Sequence, residues 1–110
     1  MPTPLPDPQT KAIDRADAAV LRLVVRNHPG VLSHVSGLFA RRAFNVDGIL
    51  CLPIGDGARS AILLLVRADE RLEQLVRQLA KLEDVIEIHP QPDGRDAFAA
   101  VAQLLQSPRT

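Results

Sequence analysis

The stretch VVRNHPGVLSHVSGLFARRAFNVDGI, residues 24–49, decides how the rest of the chain is read. It passes from apolar residues through Asn27-His28-Pro29-Gly30 into Val31, Leu32, Val35, Leu38 and Phe39, which recur at a 3.6-residue period. A strand thus enters a helix through a tight polar turn, and a second strand starts at Val46. Pro29 suits the first helical position, where a missing N–H costs nothing. Arg41 and Arg42 lie near the negative end of the helix dipole, which favours them. The turn itself poses a chemical question. The first amides of a helix have no carbonyl partner and carry partial positive charge. Either Asn27 caps them, or something anionic sits on them.

Upstream, Leu21, Leu23 and Val25 alternate with Arg22, Val24 and Arg26, which predicts a first strand over residues 20–26. Downstream, VDGILCLPI (46–54) is a second strand, with Pro53 indicating a sheet edge. Gly-Asp-Gly-Ala (55–58) supplies the positive-φ residues of a hairpin leading into RSAILLLVR (59–67). Asp69 is placed to cap a second helix bearing Leu72, Leu75, Val76, Leu79 and Leu82, with Glu73 and Arg77 as an i,i+4 pair. DVIEIH (84–89) is a fourth strand, and Asp96 is placed to cap a last helix carrying Phe98, Val101, Ala102 and Leu105.

This order, β-α-β-β-α-β plus a C-terminal helix, predicts an α+β ferredoxin-like sandwich with both main helices on one face of an antiparallel sheet. Ile62, Leu63, Leu64, Leu65 and Val66 show no polar alternation, so the other face must be covered too. The C-terminal helix, a second copy or a different protein would do it, and at least a dimer is expected. Residues 1–18, with prolines at 2, 4, 6 and 8, read as a flexible arm with a short helical turn around 12–18. Residues 19–90 form the folded domain, and 91–110 a loop and helix.

Thirteen basic and thirteen acidic residues cancel, a poor footprint for nucleic acid or an anionic membrane. No apolar run approaches the roughly 20 residues of a membrane span. One cysteine cannot form an internal disulfide, so a reducing cytoplasm is the expected compartment. His28, His34 and His89 read as scattered, without the spacing of a zinc site. Ser33 and His34 are neighbours on a helix and diverge by about 100°, which rules them out as nucleophile and base. Cys51 among apolar strand residues reads as a buried, inert thiol. No catalytic set and no metal set emerges. An RNA-binding sheet would need aromatics on its central strands, and Phe39, Phe44 and Phe98 fall on helices or a helix end. What remains is the turn, together with Asn45 at the start of the second strand. If domains pair edge to edge, Asn45 lies near a neighbouring subunit's turn, and the two amides suit the carboxylate and ammonium of a free amino acid.

VRNHPGVLSHVSGLFARRAFNVDGILCLPI, followed in register by DERLEQ and KLEDV, closely resembles the small regulatory subunits of bacterial acetolactate (acetohydroxyacid) synthase, in their short form. Those subunits are built on the ACT domain, a βαββαβ amino-acid-sensing module. The resemblance runs to about residue 89 and leaves out the Pro-rich arm and the last helix. It implies a non-catalytic, cytoplasmic homodimer. Its partner would be a large catalytic subunit holding thiamine diphosphate, FAD and magnesium, with no cofactor in this chain. It further implies activation of that subunit and feedback inhibition by valine or a related branched-chain amino acid, bound between two ACT domains. Matched residue by residue, the effector site falls on Asn27, His28, Pro29, Gly30, Val31 and Leu32, with Asn45 and Val46. Two other readings stay open: an ACT sensor serving a different enzyme, and a small stand-alone enzyme on the same scaffold.

Overall fold

The computed structural model describes residue 13 and residues 16–106. Most of the Pro-rich arm, and most of the helical turn expected near residue 12, therefore lie outside the described residues. The elements follow the order β1 (Ala18–Arg26), α1 (Val31–Arg41), β2 (Val46–Ile54), β3 (Arg59–Arg67), α2 (Leu72–Ala80), β4 (Val85–Pro90) and α3 (Gly94–Gln106). The strands form one sheet in the order β2-β3-β1-β4, every neighbouring pair antiparallel. This is the ferredoxin-like plan, and β2 is an edge as Pro53 predicts.

Several boundaries differ from the sequence reading: β4 runs Val85–Pro90 rather than 84–89, and α2 has Arg71 rather than Asp69 as its N-cap and ends before Leu82. β1 begins at Ala18 because Ala18 and Ala19 pair with Arg67 and Val66 at the end of β3. α3 begins at Gly94 rather than after a cap at Asp96; Asp96 already stands in the first turn, donating its N–H to the Asp93 carbonyl at 3.2 Å. An acidic side chain there is favoured by the helix dipole without serving as the cap.

The helical periods decide which residues go inside. Val31, Val35, Leu38 and Phe39 of α1 and Leu75 and Leu79 of α2 are buried against Leu21, Leu23, Val25, Ile62, Leu64 and Val66 of the sheet. The other face is covered by α3, whose Phe98 and Ala102 pack with Val20, Leu65 and Ile13 over half-buried Leu50 and Leu63. Of the three coverings left open by the sequence, the C-terminal helix is the one present. Its approach requires Gly48: a Cβ there would come within 2.7 Å of the Phe98 ring. The bare sheet face on which the sequence grounds self-association is therefore absent among the described residues. The free edge of β2 is open, with Leu52 at 68% exposure.

The exit from α1 sets the position of Asn45. Ala43 takes φ +55°, Phe44 N–H donates back to the Phe39 carbonyl at 3.0 Å, and Ala43 N–H donates to Ala40 at 3.4 Å. That pairing closes the helix as a Schellman motif with alanine in the left-handed position. Arg71 holds the same corner from the start of α2. Its guanidinium donates to the Arg42 carbonyl at 2.7 Å and lies 4.1 Å from the centre of the Phe44 ring.

Candidate functional site

The polar turn between β1 and α1 is tied down from both sides. Asn27 N–H donates to the Ala58 carbonyl at 3.0 Å, and its side-chain Nδ2 donates to the Gly57 carbonyl at 2.8 Å. The Asn27 amide is thus spent on the β2–β3 hairpin, where Gly55 and Gly57 take positive φ as predicted. Capping of α1 by Asn27 is ruled out. The Pro29 reading is corrected as well. Val31 N–H donates to the His28 carbonyl at 3.3 Å, and Gly30 adopts φ +89°, ψ −7°. With Pro29 before it, this is the geometry of a type II turn, proline at i+1 and glycine at i+2. Pro29 therefore precedes the helix and Gly30 is its N-cap, with no side-chain hydrogen bond to the helix end.

The first helix-closing bond runs from His34 N–H to the Gly30 carbonyl at 3.0 Å. Leu32 and Ser33 precede it, so their N–H groups belong to the open end of the helix. A Cβ built on Gly30 meets nothing within 4 Å, so the turn is open to its surroundings at that residue. Val31 turns its side chain into the core, whereas Leu32 is 40% exposed at the rim. The turn therefore offers amides and the Leu32 side chain to a ligand, with Val31 shaping it from beneath.

Asn45 and Val46 lie elsewhere. They sit at the far end of α1, beside the last residues of β3, with Val46 opposite Val66. An eleven-residue helix is about 16 Å long, so one chain does not bring Asn45 to its own turn. Asn45 is exposed and donates from Nδ2 to Asp47 Oδ1 at 3.2 Å. It borders a cleft of about 170 Å³ lined also by Phe44, Asp47, Arg67, Asp69 and Arg71.

The structure corrects two further expectations. Cys51 is exposed, because β2 is the sheet edge and neither apolar cluster reaches that position. The histidines are not all scattered. His28 Nε2 lies 2.7 Å from Asp84 Oδ2, and His34 Nδ1 lies 3.2 Å from the same oxygen. Sequence gave no sign of this group, since Asp84 precedes β4 and reaches α1 only through the packed fold.

The hydrogen bond to Asp84 raises the His28 pKa above its ordinary 6.5, helped by the Pro29 carbonyl 2.6 Å from Nδ1. The bond from His28 lowers Asp84 below 3.8, with burial opposing it and His34 adding to it. The signs fix a pH window. The His28 share is complete below 6.5 and is lost as pH rises through its raised folded value; the Asp84 share is complete above 3.8 and is lost as pH falls through its lowered one. In metal-free buffer, Asp84→Asn should lower the melting temperature most between those two ordinary values. The difference from wild type should narrow as pH rises further. A difference that stays constant across the range would show that the pair does not titrate with folding.

Comparison with known proteins places these features. Residues 21–87 match the family described as the AHAS small subunit-like ACT domain. The acetolactate synthase isozyme 1 small subunit of Escherichia coli K12 is 54% identical over 90 residues, covering 82% of this chain and 94% of that one. The acetolactate synthase small subunit of Mycobacterium bovis is 39% identical over 85 residues, 76% of this chain and 51% of its own. Among solved structures, the acetolactate synthase small subunit of Thermotoga maritima superposes with a TM-score of 0.61 at 32% identity. That superposition covers 66% of this chain and 46% of the Thermotoga chain.

Proposed function

The chain belongs to the family of acetolactate synthase small subunits built on an ACT domain, and on that footing we propose that it activates a thiamine-dependent large subunit and makes it sensitive to valine. The large subunit carries the thiamine diphosphate, FAD, magnesium and catalysis. This chain carries the sensor. The observation behind the sensor is the start of α1, which no side chain caps, with Asn27 committed to the hairpin and Gly30 at the N-cap.

The effector site is completed by a second copy. β2 is a free edge running from Val46 to Ile54. Antiparallel pairing of two β2 strands about a two-fold axis sets the start of one against the end of the other. Asn45 and Val46 then stand beside the partner's hairpin, to which the partner's turn is bonded through Asn27. The effector carboxylate takes the α1 amides and its isopropyl group rests on Leu32, with Asn45 of the partner subunit near the ammonium. Burying that group is worth roughly 1.5–3 kcal/mol and the helix end about 0.3–2 kcal/mol. With a few more hydrogen bonds this corresponds to dissociation constants between about 1 mM and 1 μM, weak enough to follow a metabolite.

A sensor serving a different enzyme would share all of this geometry, and partner choice separates the two. The untagged chain should copurify with an acetolactate synthase large subunit as a dimer or larger, and should bind valine calorimetrically. A monomer that ignores both partner and valine would contradict the proposal.

A further inference from the structure

The cluster beside the turn has the composition and convergence of a metal site. His28, His34 and Asp84 each present one donor atom, and the three lie within 4.8 Å of one another. Both histidines address the same carboxylate oxygen, so a dication can stand where their N–H groups now point. We propose that His28 Nε2, His34 Nδ1 and the Asp84 carboxylate bind a divalent transition ion of the Zn²⁺ class, with water completing the coordination.

Two imidazoles and a carboxylate are ligands that suit Zn²⁺ and its neighbours rather than Mg²⁺ or Ca²⁺, which take oxygen. With bonds of about 2.1 Å, a tetrahedral site separates its donors by about 3.4 Å, so the two imidazole nitrogens close by no more than about 1.4 Å while His28 and His34, at 2.7 and 3.2 Å from the carboxylate, draw back by about 0.7 and 0.2 Å. They have the freedom to do so, His34 being 62% and His28 37% exposed at the side chain. The supports are firm. His28 Nδ1 donates to the Pro29 carbonyl at 2.6 Å, the kind of outer bond that orients a ligating imidazole and leaves Nε2 for the ion. The backbone carbonyl of Asp84 accepts from Arg26 N–H at 3.0 Å, which roots the carboxylate on the sheet. An ion held there joins the turn, the first turns of α1 and the segment leading into β4. It requires neither valine nor the large subunit, so it stands or falls separately from the proposed function.

The test is calorimetric titration of the full, untagged chain with zinc chloride. Wild type should bind one ion per chain, and His28→Ala, His34→Ala and Asp84→Asn should each weaken binding at least about tenfold. His89→Ala should change nothing, although His89 also faces a carboxylate, Glu87, at 3.5 Å. A wild-type affinity no greater than that of the His28→Ala/His34→Ala double variant would overturn the site. If a variant fails to fold, imidazole ¹⁵N shifts of the wild type give the answer. Zinc should move the His28 and His34 resonances and leave His89 in place; movement of His89 alone would overturn it.

Discussion

Leu64→Asp and Leu65→Asp should each abolish the folded state, although the two side chains point to opposite faces of the sheet. Leu64 is fully buried beneath α1 and α2, and Leu65 is 1% exposed beneath α3. Each change removes a packed leucine, at about 2–5 kcal/mol, and forces a carboxyl group into an apolar layer at a cost of several more. A domain of this size has roughly 5–15 kcal/mol in total, so neither variant should give a cooperative melt. Leu52→Asp on the open edge should fold normally, being 68% exposed. A Leu65→Asp protein melting close to wild type would mean that α3 does not seal the second face.

Gly30→Asp should uncouple activation from feedback. The carboxylate would stand over the α1 amides, taking the place assigned to the effector's own and repelling it. Valine inhibition of the reconstituted complex should weaken about tenfold to a hundredfold, equivalent to roughly 1.4–2.8 kcal/mol. Activation should persist, because it needs the folded domain rather than an occupied site. The φ of +89° means that any side chain there is strained, by about 1–2 kcal/mol for an L residue and least for Asp or Asn. Gly30→Asn therefore carries the strain without the charge. If feedback is lost equally in Gly30→Asn and Gly30→Asp, backbone shape and not anion binding governs the response. If both variants stay fully valine-sensitive, the effector lies elsewhere.

Much of this architecture was legible from residue order. The alternation at Leu21, Leu23 and Val25, the period from Val31 to Phe39 and the Gly-Asp-Gly hairpin each fix a local conformation by short-range sterics, and all hold in the structure. Pro53 announced the edge strand. What failed depended on distant partners. Asn27 is a good cap by type, yet its amide goes to Gly57, thirty residues away. His34 meets Asp84 across fifty residues, a contact that exists only after α1 packs near the start of β4. Cys51 looked buried because its neighbours are apolar, but strand burial is set by what lies over it, and β2 is the uncovered edge. Pro-Gly before a helix suits both a helical first turn and a type II turn, and only the φ of Gly30 separates them. The candidate site was legible as a stretch of chain, since residues 27–32 are contiguous. Asn45 and Val46 enter that reading only on the premise that two domains pair edge to edge, and within one chain the length of α1 keeps them from the turn.

The decisive assay is acetolactate formation by the large subunit, alone and with this chain added in excess, each with and without millimolar valine. The chain should raise the rate, and valine should lower it again only in the mixture. A rate unchanged by the chain, with no valine sensitivity gained, would contradict the proposed function.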